Sequence, residues 1–193
     1  MSFAQTIAAG GVVLFPSDTV YGLACDPLNE AAIQRLYALK RRPVDKSAAV
    51  MFFALGAALA SLPELPSRTG AALRALMPGG VTALLPNPER RFPLACRADP
   101  LTLGLRVVDV PALRGVAIPV LQSSANLSGG ADARTLEAVA PAVRAGADME
   151  VDGGELPGVP STVIDLRSYA IDGKWSIVRQ GLVEADAVRC ALG

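Results

Sequence analysis

An α/β fold, with helices packed on an open, twisted, mixed sheet, is what this sequence predicts. The chain has 193 residues, of which 51% are hydrophobic and 19% are charged, so it can bury one large core. Short apolar runs, typical of buried strands, alternate with segments whose apolar residues have helical spacing. Their mixed order favours some antiparallel pairing over a regular βαβ repeat. We therefore expect roughly seven or eight strands and about five helices, in a single domain over residues 1–193.

The first half of the chain opens with a short helix after Ser2 in "FAQTIAAG". The runs "VVLF" and "VYGLAC" predict two strands joined by a bend in which Asp18 forms the turn. "NEAAIQRLYALK" predicts a helix that is capped by Asn29 and ends near Arg41, just before an arginine–proline pair. "SAAVMFF" predicts a strand, and "SRTGAALRALMPGG" predicts a helix capped by Ser67 and stopped by glycine.

The second half supplies most of the remaining sheet. Five apolar runs predict strands: "VTALLP", "TLGLRVV", "IPVLQS", "STVIDL" and "KWSIVR". "TLEAVAPAV" and "EADAVRCAL" predict helices, and the proline-rich stretches between the elements predict loops within one domain.

Composition excludes several kinds of chemistry. The chain has no histidine, which rules out Ser-His-Asp and Cys-His catalysis and any histidine metal ligand. Eighteen basic and 18 acidic residues balance, so the overall charge does not favour nucleic acid or an anionic membrane. Cys25, Cys96 and Cys190 lie far apart, which predicts buried thiols in a reducing compartment and no metal site. No apolar run has the length of a membrane span, and the start lacks a signal-peptide pattern, so we expect a cytoplasmic protein.

Polar residues gather where predicted elements end. Lys40 and Arg42, in "KRRPVDK", share one side of an extended exit from their helix, and either clamp an anion or complement the helix C-terminus. Ser124 and Asn126, in "SSANLSG", likewise share a side while Ala125 turns inward, which indicates either a ligand wall or a plain Asx turn. No phosphate-binding loop of the P-loop or G-x-G-x-x-G type occurs.

Three further positions carry polar groups at strands. Arg106 is a charge in the otherwise apolar "TLGLRV", and such a charge is either paired or available to a ligand. Ser161 begins a strand in "PSTVIDL", and Arg179 ends one in "VRQG". The stretch "FPSDTVYGL" holds more polar side chains than a bend needs. Together these groups suit the binding and positioning of a polyanion better than covalent catalysis.

In sequence order, "PSDTVYGL", "KRRP", "PGGVT", "TLGLRV", "SANLSG", "STVIDL" and "VRQG" resemble the YrdC-like threonylcarbamoyl-AMP synthase family. The match runs from about Gly11 to Gly181 and includes the family's K-x-R and S-x-N signatures. The resemblance implies a twisted α/β sheet with a large concave ligand-binding surface. It also implies condensation of L-threonine, bicarbonate and ATP to threonylcarbamoyl-AMP and pyrophosphate. A downstream threonylcarbamoyl-transferase complex would then modify tRNA.

The resemblance also implies roles for named residues. Lys40 and Arg42 would be the catalytic cations and would be exposed when no ligand is bound, with Mg²⁺ carried by the ATP phosphates. Thr19, Tyr21 and Arg106 would face the threonine and carbamate. The nucleotide and its phosphates would be held by Lys40, Arg42, Ser124, Asn126, Ser161 and Arg179.

This sequence departs from the family pattern at several positions. Met51 aligns where longer relatives often carry a histidine, which removes one expected contact on the threonine side. "PGGVT" replaces the usual Pro-Gly-Pro, and Ser17 stands where threonine is commoner. Two alternatives stay open: an RNA-binding YrdC-like module that contacts tRNA through the same face, and a paralogue with a different substrate. Hydrogenase maturation factors share the fold, but their acylphosphatase-like and zinc-finger modules match nothing in this sequence.

Overall fold

Nine strands pair side by side in one sheet in the computed structural model, which describes residues 1–193. Five neighbouring pairs are antiparallel and three are parallel, so the predicted mixed sheet is confirmed. The strands lie in the order β7-β1-β2-β6-β3-β5-β4-β8-β9, with these bounds: β1 Val13–Pro16, β2 Tyr21–Cys25, β3 Ala49–Phe52, β4 Val81–Pro86, β5 Thr102–Val107, β6 Val120–Ser124, β7 Met149–Glu150, β8 Thr162–Asp165 and β9 Ser176–Arg179.

Eight α-helices and one 3₁₀ turn connect the strands. All eight predicted strands are present, and the two-residue β7 and three short helices, α3, α5 and α7, had no prediction. The helices are α1 Phe3–Ala8, α2 Glu30–Lys40, α3 Leu55–Ala60, α4 Ser67–Leu76, α5 Pro93–Cys96, α6 Pro141–Ala145, α7 Tyr169–Asp172 and α8 Ala185–Leu192, and the 3₁₀ turn is Pro111–Leu113.

Two predicted helix starts are wrong. Ser67 is the first helical residue of α4 and caps nothing, because Pro66 occupies the cap position. The helix predicted over "TLEAVAPAV" begins only at Pro141, which sits at the first position of α6. Proline has no N–H and disfavours helical dihedrals at the residue before it, so Ala140 is extended (ψ 132°) and the helix starts after it.

The two faces of the sheet are covered unequally. A cluster of 35 buried residues fills one face, where β5 contributes Leu103, Leu105 and Val107. A second cluster of 10 buried residues covers part of the other face beneath α1, with the Phe3 and Phe15 rings packed edge to face at 5.8 Å. Because successive side chains of a strand point to opposite faces, the alternate residues of β5 face the uncovered remainder of this second side. That remainder is the concave surface of the molecule.

The cysteines are three free thiols. Burial raises the pKa of Cys25 to about 12 and that of Cys96 to about 11, so both stay protonated and pack as small apolar groups. Cys190 is exposed on α8, so the prediction that it is buried is wrong. The longest helix has 11 residues, and none has the length and apolar character of a membrane span.

Candidate functional site

The uncovered part of the sheet forms the floor of a cleft of about 550 Å³. Only five of its 24 lining residues are hydrophobic. Two carboxylates, Asp99 and Asp132, face five cations across it, so a chain with no net charge concentrates positive charge at this one place. The positive electrostatic potential of such a cleft favours anionic ligands. The five cations of the lining are Lys40, Arg42, Lys46, Arg106 and Arg179.

Lys40, the last residue of α2, binds the protein itself. Its Nζ donates to the backbone carbonyls of Ser124 and Asn126 (2.7 Å for Asn126) and to the Asn126 Oδ1 (3.0 Å). An ammonium group has three N–H donors, and these three acceptors take them all. Only 2% of Lys40 is exposed, so the prediction that it is exposed without ligand is wrong. Its acceptors lie at the end of β6 and just after it, so Lys40 does not act as a simple complement to the C-terminus of its own helix.

The surroundings of Lys40, which is buried and close to other cations, disfavour its charged form. Burial, together with the nearby cations Arg42 and Lys46, lowers the pKa of Lys40 to about 8, although Asp132 opposes the change. The hydrogen bonds to three oxygens favour the charged form, so the group is held between opposing effects.

A left-handed residue brings Arg42 back to the cleft. Arg41 has φ 51° and ψ 40°; its N–H binds the Ala38 carbonyl (3.0 Å), while the Arg42 N–H binds the Tyr37 carbonyl (2.9 Å). This pair of bonds is a Schellman motif. The prediction of an extended exit is therefore wrong, although both Lys40 and Arg42 do line the cleft. The Arg42 Nη2 donates to the Ser47 carbonyl at 2.6 Å.

The segment after β6 is held by a small hydrogen-bond network. The Ser124 Oγ donates to the Asn126 Oδ1, and the Asn126 amide donates to the Gly130 carbonyl, both at 2.5 Å. The Ser128 N–H binds the Lys40 carbonyl at 2.8 Å. Ala125 is fully buried, as the spacing predicts. The side chains thus form a local turn and line the cleft at once, so the two interpretations of this segment are compatible.

Arg106 is almost completely buried in β5, with 3% of the residue exposed. Its Nη2 donates to the Asp18 carboxylate and to the Thr19 Oγ1 (2.6 Å). Its Nε and the Asp18 Oδ2 are buried and have no partner. Burial lowers the pKa of the Arg106 guanidinium, and Asp18 opposes that change. The arginine is therefore paired on one nitrogen and retains a donor without a partner.

The "PSDT" bend holds Arg106 through a chain of hydroxyls. The Ser17 Oγ accepts from the N–H groups of Thr19 and Val20 (both 3.2 Å) and donates to the Val20 carbonyl (2.7 Å), so Ser17 forms the turn and the prediction for Asp18 is wrong. The Thr19 hydroxyl lies 2.9 Å from the Ser17 Oγ and accepts from Arg106. Thr19 is fully buried, and only Val20 of this bend lines the cleft.

Tyr21 lies outside the cleft lining and is fully buried. Its hydroxyl lies 2.9 Å from both the Asp152 Oδ1 and the Gly154 carbonyl and accepts from the Gly153 N–H at 3.0 Å. Burial raises the pKa of Tyr21. These contacts tie β2 to the loop over residues 152–154.

Ser161 and Arg179 meet at the far side of the cleft from Lys40. The Ser161 hydroxyl lies 2.8 Å from the Thr82 hydroxyl, and the Arg179 Nη2 donates to the Ser161 carbonyl at 2.7 Å. Gly181 must be a glycine, because a Cβ there would lie 2.3 Å from the Pro160 carbonyl oxygen. The close approach of these two backbones brings Arg179 against Ser161.

Apart from Tyr21, the predicted site residues form two clusters, one beside β6 and one around Arg106 on β5, with β3 between these two strands. The Lys40 cluster comprises Lys40, Arg42, Ser124 and Asn126, beside β6. The Arg106 cluster comprises Arg106 on β5, Thr19 in the bend, Ser161 just before β8 and Arg179 at the end of β9. In the register of β4 and β5, Thr82 lies opposite Arg106, which joins the members of the second cluster. The Arg106 cluster therefore combines residues to which the resemblance gives different ligands.

Several lining residues had no prediction. Thr102 and Gly104 precede Arg106 at intervals of two in β5, and Gln122 precedes Ser124 in the same way, so strand alternation could have found them. Met51 pairs with Arg106 between β3 and β5, yet it lies in the smaller core cluster and does not line the cleft. Nowhere do three His, Cys, Asp or Glu side chains come together as a metal site.

Known proteins with similar sequences support the resemblance to this family. A family model for Sua5, YciO and YrdC proteins, which carries the description "Telomere recombination", matches residues 5–181. A protein of Xanthomonas campestris pv. campestris named threonylcarbamoyl-AMP synthase is 34% identical over 174 residues, which cover 86% of this chain and 92% of that one.

Solved structures show the same fold. The P. abyssi Sua5 complexed with L-threonine is 27% identical with a TM-score of 0.83, over 98% of this chain. This chain spans 56% of that Sua5 chain, a little over half. E. coli YciO is 25% identical with a TM-score of 0.75, over 96% of this chain and 90% of its own. The resemblance is thereby confirmed, and the chain belongs to the Sua5/YciO/YrdC family.

Proposed function

We propose that this protein is an L-threonylcarbamoyladenylate synthase, which condenses L-threonine, bicarbonate and ATP to threonylcarbamoyl-AMP and pyrophosphate. The observation that carries the proposal is the concentration of five cations in the cleft of a neutral member of this family. A triphosphate and an amino-acid carbamate are both anionic, so one cationic cleft suits both substrates. The threonine bound to the P. abyssi relative supports the same substrate here.

The residue types suit this reaction. The threonine amine and bicarbonate give a carbamate with loss of water, and a carbamate oxygen then attacks the α-phosphorus and displaces pyrophosphate. The attacking group is already anionic, so this step needs alignment and charge neutralisation more than a protein base. Thr19 and Tyr21 would act on the threonine side indirectly, Thr19 through Arg106 and Tyr21 through the 152–154 loop. The phosphates would be held by Arg42, Ser124, Asn126, Ser161 and Arg179. Lys40 would act on them through its charge, because its three donors are taken by protein oxygens.

The wider setting of the reaction follows from the same proposal. Mg²⁺ would enter as the companion of the ATP phosphates, since the protein brings no acidic cluster of its own to the cleft. The product would pass to a tRNA threonylcarbamoyl-transferase complex. Residues 1–193 would act as one YrdC-like domain, because strands from the whole chain share one sheet. Free thiols in place of disulfides support a cytoplasmic location.

The direct test is pyrophosphate release by the purified protein with ATP, threonine and bicarbonate, each omitted in turn. We expect release to require all three, and mass spectrometry to find threonylcarbamoyl-AMP. Release that is equal with and without threonine contradicts the assignment and favours a paralogue with another substrate. Absence of turnover together with tight, salt-sensitive tRNA binding favours the RNA-binding alternative.

A pair of neighbouring variants tests whether the cleft is the site. Arg42 lines the cleft, whereas the adjacent Arg41 is exposed and does not. Arg42→Ala should weaken ATP use by about 10- to 1,000-fold, the range for a lost charge-assisted contact. Arg41→Ala removes the same charge one residue away and should leave ATP use within about twofold of the wild type. Equal effects of the two variants would contradict this placement of the phosphates.

A further inference from the structure

Tyr37 stands beside the segment that carries two cations into the cleft. It lies in the last turn of α2, is fully buried, and does not line the cleft. The segment that follows, residues 42–47, is mostly exposed, and Arg42, Lys46 and Ser47 all face the cleft. Exposed segments with few apolar contacts are the parts of a protein that open most easily. This segment therefore depends on specific contacts for its conformation.

The ring of Tyr37 supports Arg42 directly. The Arg42 Cζ lies over the ring at 5.3 Å from its centroid, and the Arg97 Cζ lies over the same ring at 5.8 Å. The Nε of Arg42 and the Nε and Nη2 of Arg97 are buried without any hydrogen-bond partner. The electron-rich face of an aromatic ring attracts such guanidinium groups. Glu30, bonded to Arg97 at 3.1 and 3.2 Å, offsets the repulsion between the two arginines.

The rest of Tyr37 holds the same segment at two other points. Its hydroxyl donates to the Lys46 carbonyl at 2.7 Å, and its own carbonyl accepts from the Arg42 N–H at 2.9 Å. One buried residue thus contacts both ends of a segment that is otherwise exposed. Its ring, hydroxyl and backbone each contribute one of these contacts.

We propose that Tyr37 is a positioning residue, which fixes Arg42 and Lys46 in the cleft. These two side chains are then already ordered when the phosphates of the nucleotide bind. The proposal rests on the proposed function, because it requires the cleft to bind ATP. Pre-ordering long cationic side chains removes part of the entropy lost on binding, so it should appear in the affinity for ATP.

Tyr169 provides a matched control. It is also a buried tyrosine (6% exposed), with the Arg68 Cζ over its ring at 4.8 Å and its hydroxyl bonded to the Leu192 carbonyl at 3.0 Å. It lies on α7 and does not line the cleft. Substitution of either tyrosine therefore removes the same kinds of interaction, but only Tyr37 contacts the 42–47 segment.

The test compares Tyr37→Leu and Tyr37→Phe with Tyr169→Leu and Tyr169→Phe. Tyr37→Leu should speed hydrogen exchange in the peptide that spans residues 42–48 and raise the KM for ATP by about 5- to 30-fold, with less than about a twofold change in the KM for threonine. Tyr37→Phe keeps the ring and should raise the KM for ATP by only about threefold. The Tyr169 variants should lower the Tm and leave both the peptide and the KM values unchanged.

Each other outcome decides against some part of the proposal. If Tyr37→Leu matches Tyr169→Leu in exchange and in KM, or speeds exchange without changing the KM for ATP selectively, Tyr37 is not a positioning residue. If Tyr37→Leu does not fold, Tyr37→Phe carries the test, with faster exchange of the same peptide expected. A wild-type protein without threonine-dependent pyrophosphate release would refute the proposed function instead, and the exchange measurement alone would then decide whether Tyr37 holds the segment.

Discussion

The Lys40 cluster and the Arg106 cluster face one cleft but are built differently. Lys40 gives all three of its donors to oxygens of Ser124, the last residue of β6, and Asn126, so it orders a part of the protein itself. Arg106 gives one nitrogen to Asp18 and Thr19 and keeps a buried Nε without a partner. A buried polar group left without a partner is costly unless a ligand completes it. The buried cation of the Lys40 cluster is therefore fully satisfied by the protein, whereas that of the Arg106 cluster keeps a donor for a ligand.

The supports of the two clusters differ as well. Arg106 projects from a central strand and is held by a bend in which Ser17, Thr19 and the backbone form a continuous hydrogen-bond chain. Arg42 and Lys46 project from a mostly exposed segment that contacts the ring and the hydroxyl of Tyr37. We therefore expect damage to the Arg106 cluster to affect the stability of the whole fold. Damage to the Lys40 cluster should affect local order and nucleotide binding more.

Loss of Arg106 should give the largest effect. Arg106→Met removes the partner of the Asp18 carboxylate within the protein, and breaking such a buried pair costs about 3–5 kcal/mol of the free energy of unfolding. Urea denaturation measures this. Arg91→Met is the control, because it breaks the more exposed Arg91–Glu64 pair and should cost about 1 kcal/mol or less.

A double variant separates stability from function at this cluster. Asp18→Ala combined with Arg106→Met removes both charges and should recover at least half of the lost stability. If Arg106 meets the ligand as proposed, activity should stay lost, because that cation is still missing. Recovery of activity in the double variant would show that Arg106 serves the fold alone, and the contrast between the clusters would fail.

Lys40→Met should have the next largest effect. The motif alone predicts an exposed lysine whose loss would not affect stability, whereas the structure shows that it is buried. The substitution leaves the Ser124 and Asn126 carbonyls without their donor, at a cost of about 2 kcal/mol in the free energy of unfolding. Hydrogen exchange should be faster in the 124–130 segment. Lys174→Met removes a lysine whose side chain is 82% exposed and should change neither quantity. An unchanged stability of Lys40→Met would mean that Lys40 contacts ligand only.

The contrast between Lys40 and Arg106 also shows what the sequence could predict. Alternating apolar residues are sufficient to predict the strands of the sheet, because side chains alternate between its two faces with a period of two residues, which is a local property of each strand. Every predicted strand is present for that reason. Lys40 and Arg42 of K-x-R, Ser124 and Asn126 of S-x-N, and Arg179 of "VRQG" all line the cleft, as the ordered set of motifs predicts.

The predictions that failed depend on contacts between distant segments. The acceptors of Lys40 lie more than 80 residues away, so nothing in "KRRPVDK" indicates that the lysine is buried. The resemblance implies that Thr19 faces the threonine, but Thr19 is fully buried, does not line the cleft and instead binds Arg106, which reaches it from β5. The cation pair on Tyr37 needs Arg97, which follows α5 and is 60 positions away in the chain. Spacing along a sequence does not encode such contacts.

The pH dependence of stability should reveal the buried charge of Lys40. Its pKa in the folded protein is about 8, below the 10.5 of an unburied lysine. Below pH 8 the lysine is charged in both folded and unfolded chains, and the full cost of burying the charge is present. Between pH 8 and 10.5 the unfolded chain binds more protons than the folded chain, so this cost is relieved and stability rises with pH.

The measurement compares the wild type with Lys40→Met, in which all other titrating groups are the same. The difference in free energy of unfolding should grow in favour of the wild type by about 1 kcal/mol or more between pH 7 and 9.5. Lys174→Met should show no such trend. A difference that stays constant over this range would indicate that the three oxygens outweigh burial and keep Lys40 charged.

The smallest effect separates the ligands of the two clusters. Ser124→Ala removes the hydroxyl bonded to the Asn126 Oδ1 and should raise the KM for ATP by about threefold, more than that for threonine. Thr19→Val removes one of the two acceptors of the Arg106 Nη2 and should raise the KM for threonine by a similar factor, more than that for ATP.

Steady-state kinetics with one substrate varied at a time would measure both ratios, and two controls isolate the hydroxyls. Ser128→Ala removes a serine that also lines the cleft but makes no side-chain hydrogen bond, and Thr6→Val removes a buried hydroxyl on α1 that binds the Ser2 carbonyl. Neither should change the ratio of the two KM values. In the proposed reaction both clusters would contribute to one transition state, so the absolute KM values should shift together and their ratio is the informative quantity. If Thr19→Val impairs ATP use selectively, Arg106 belongs to the nucleotide together with Ser161 and Arg179, its neighbours in the cluster. The cleft would then divide at β3, with threonine on the Lys40 side.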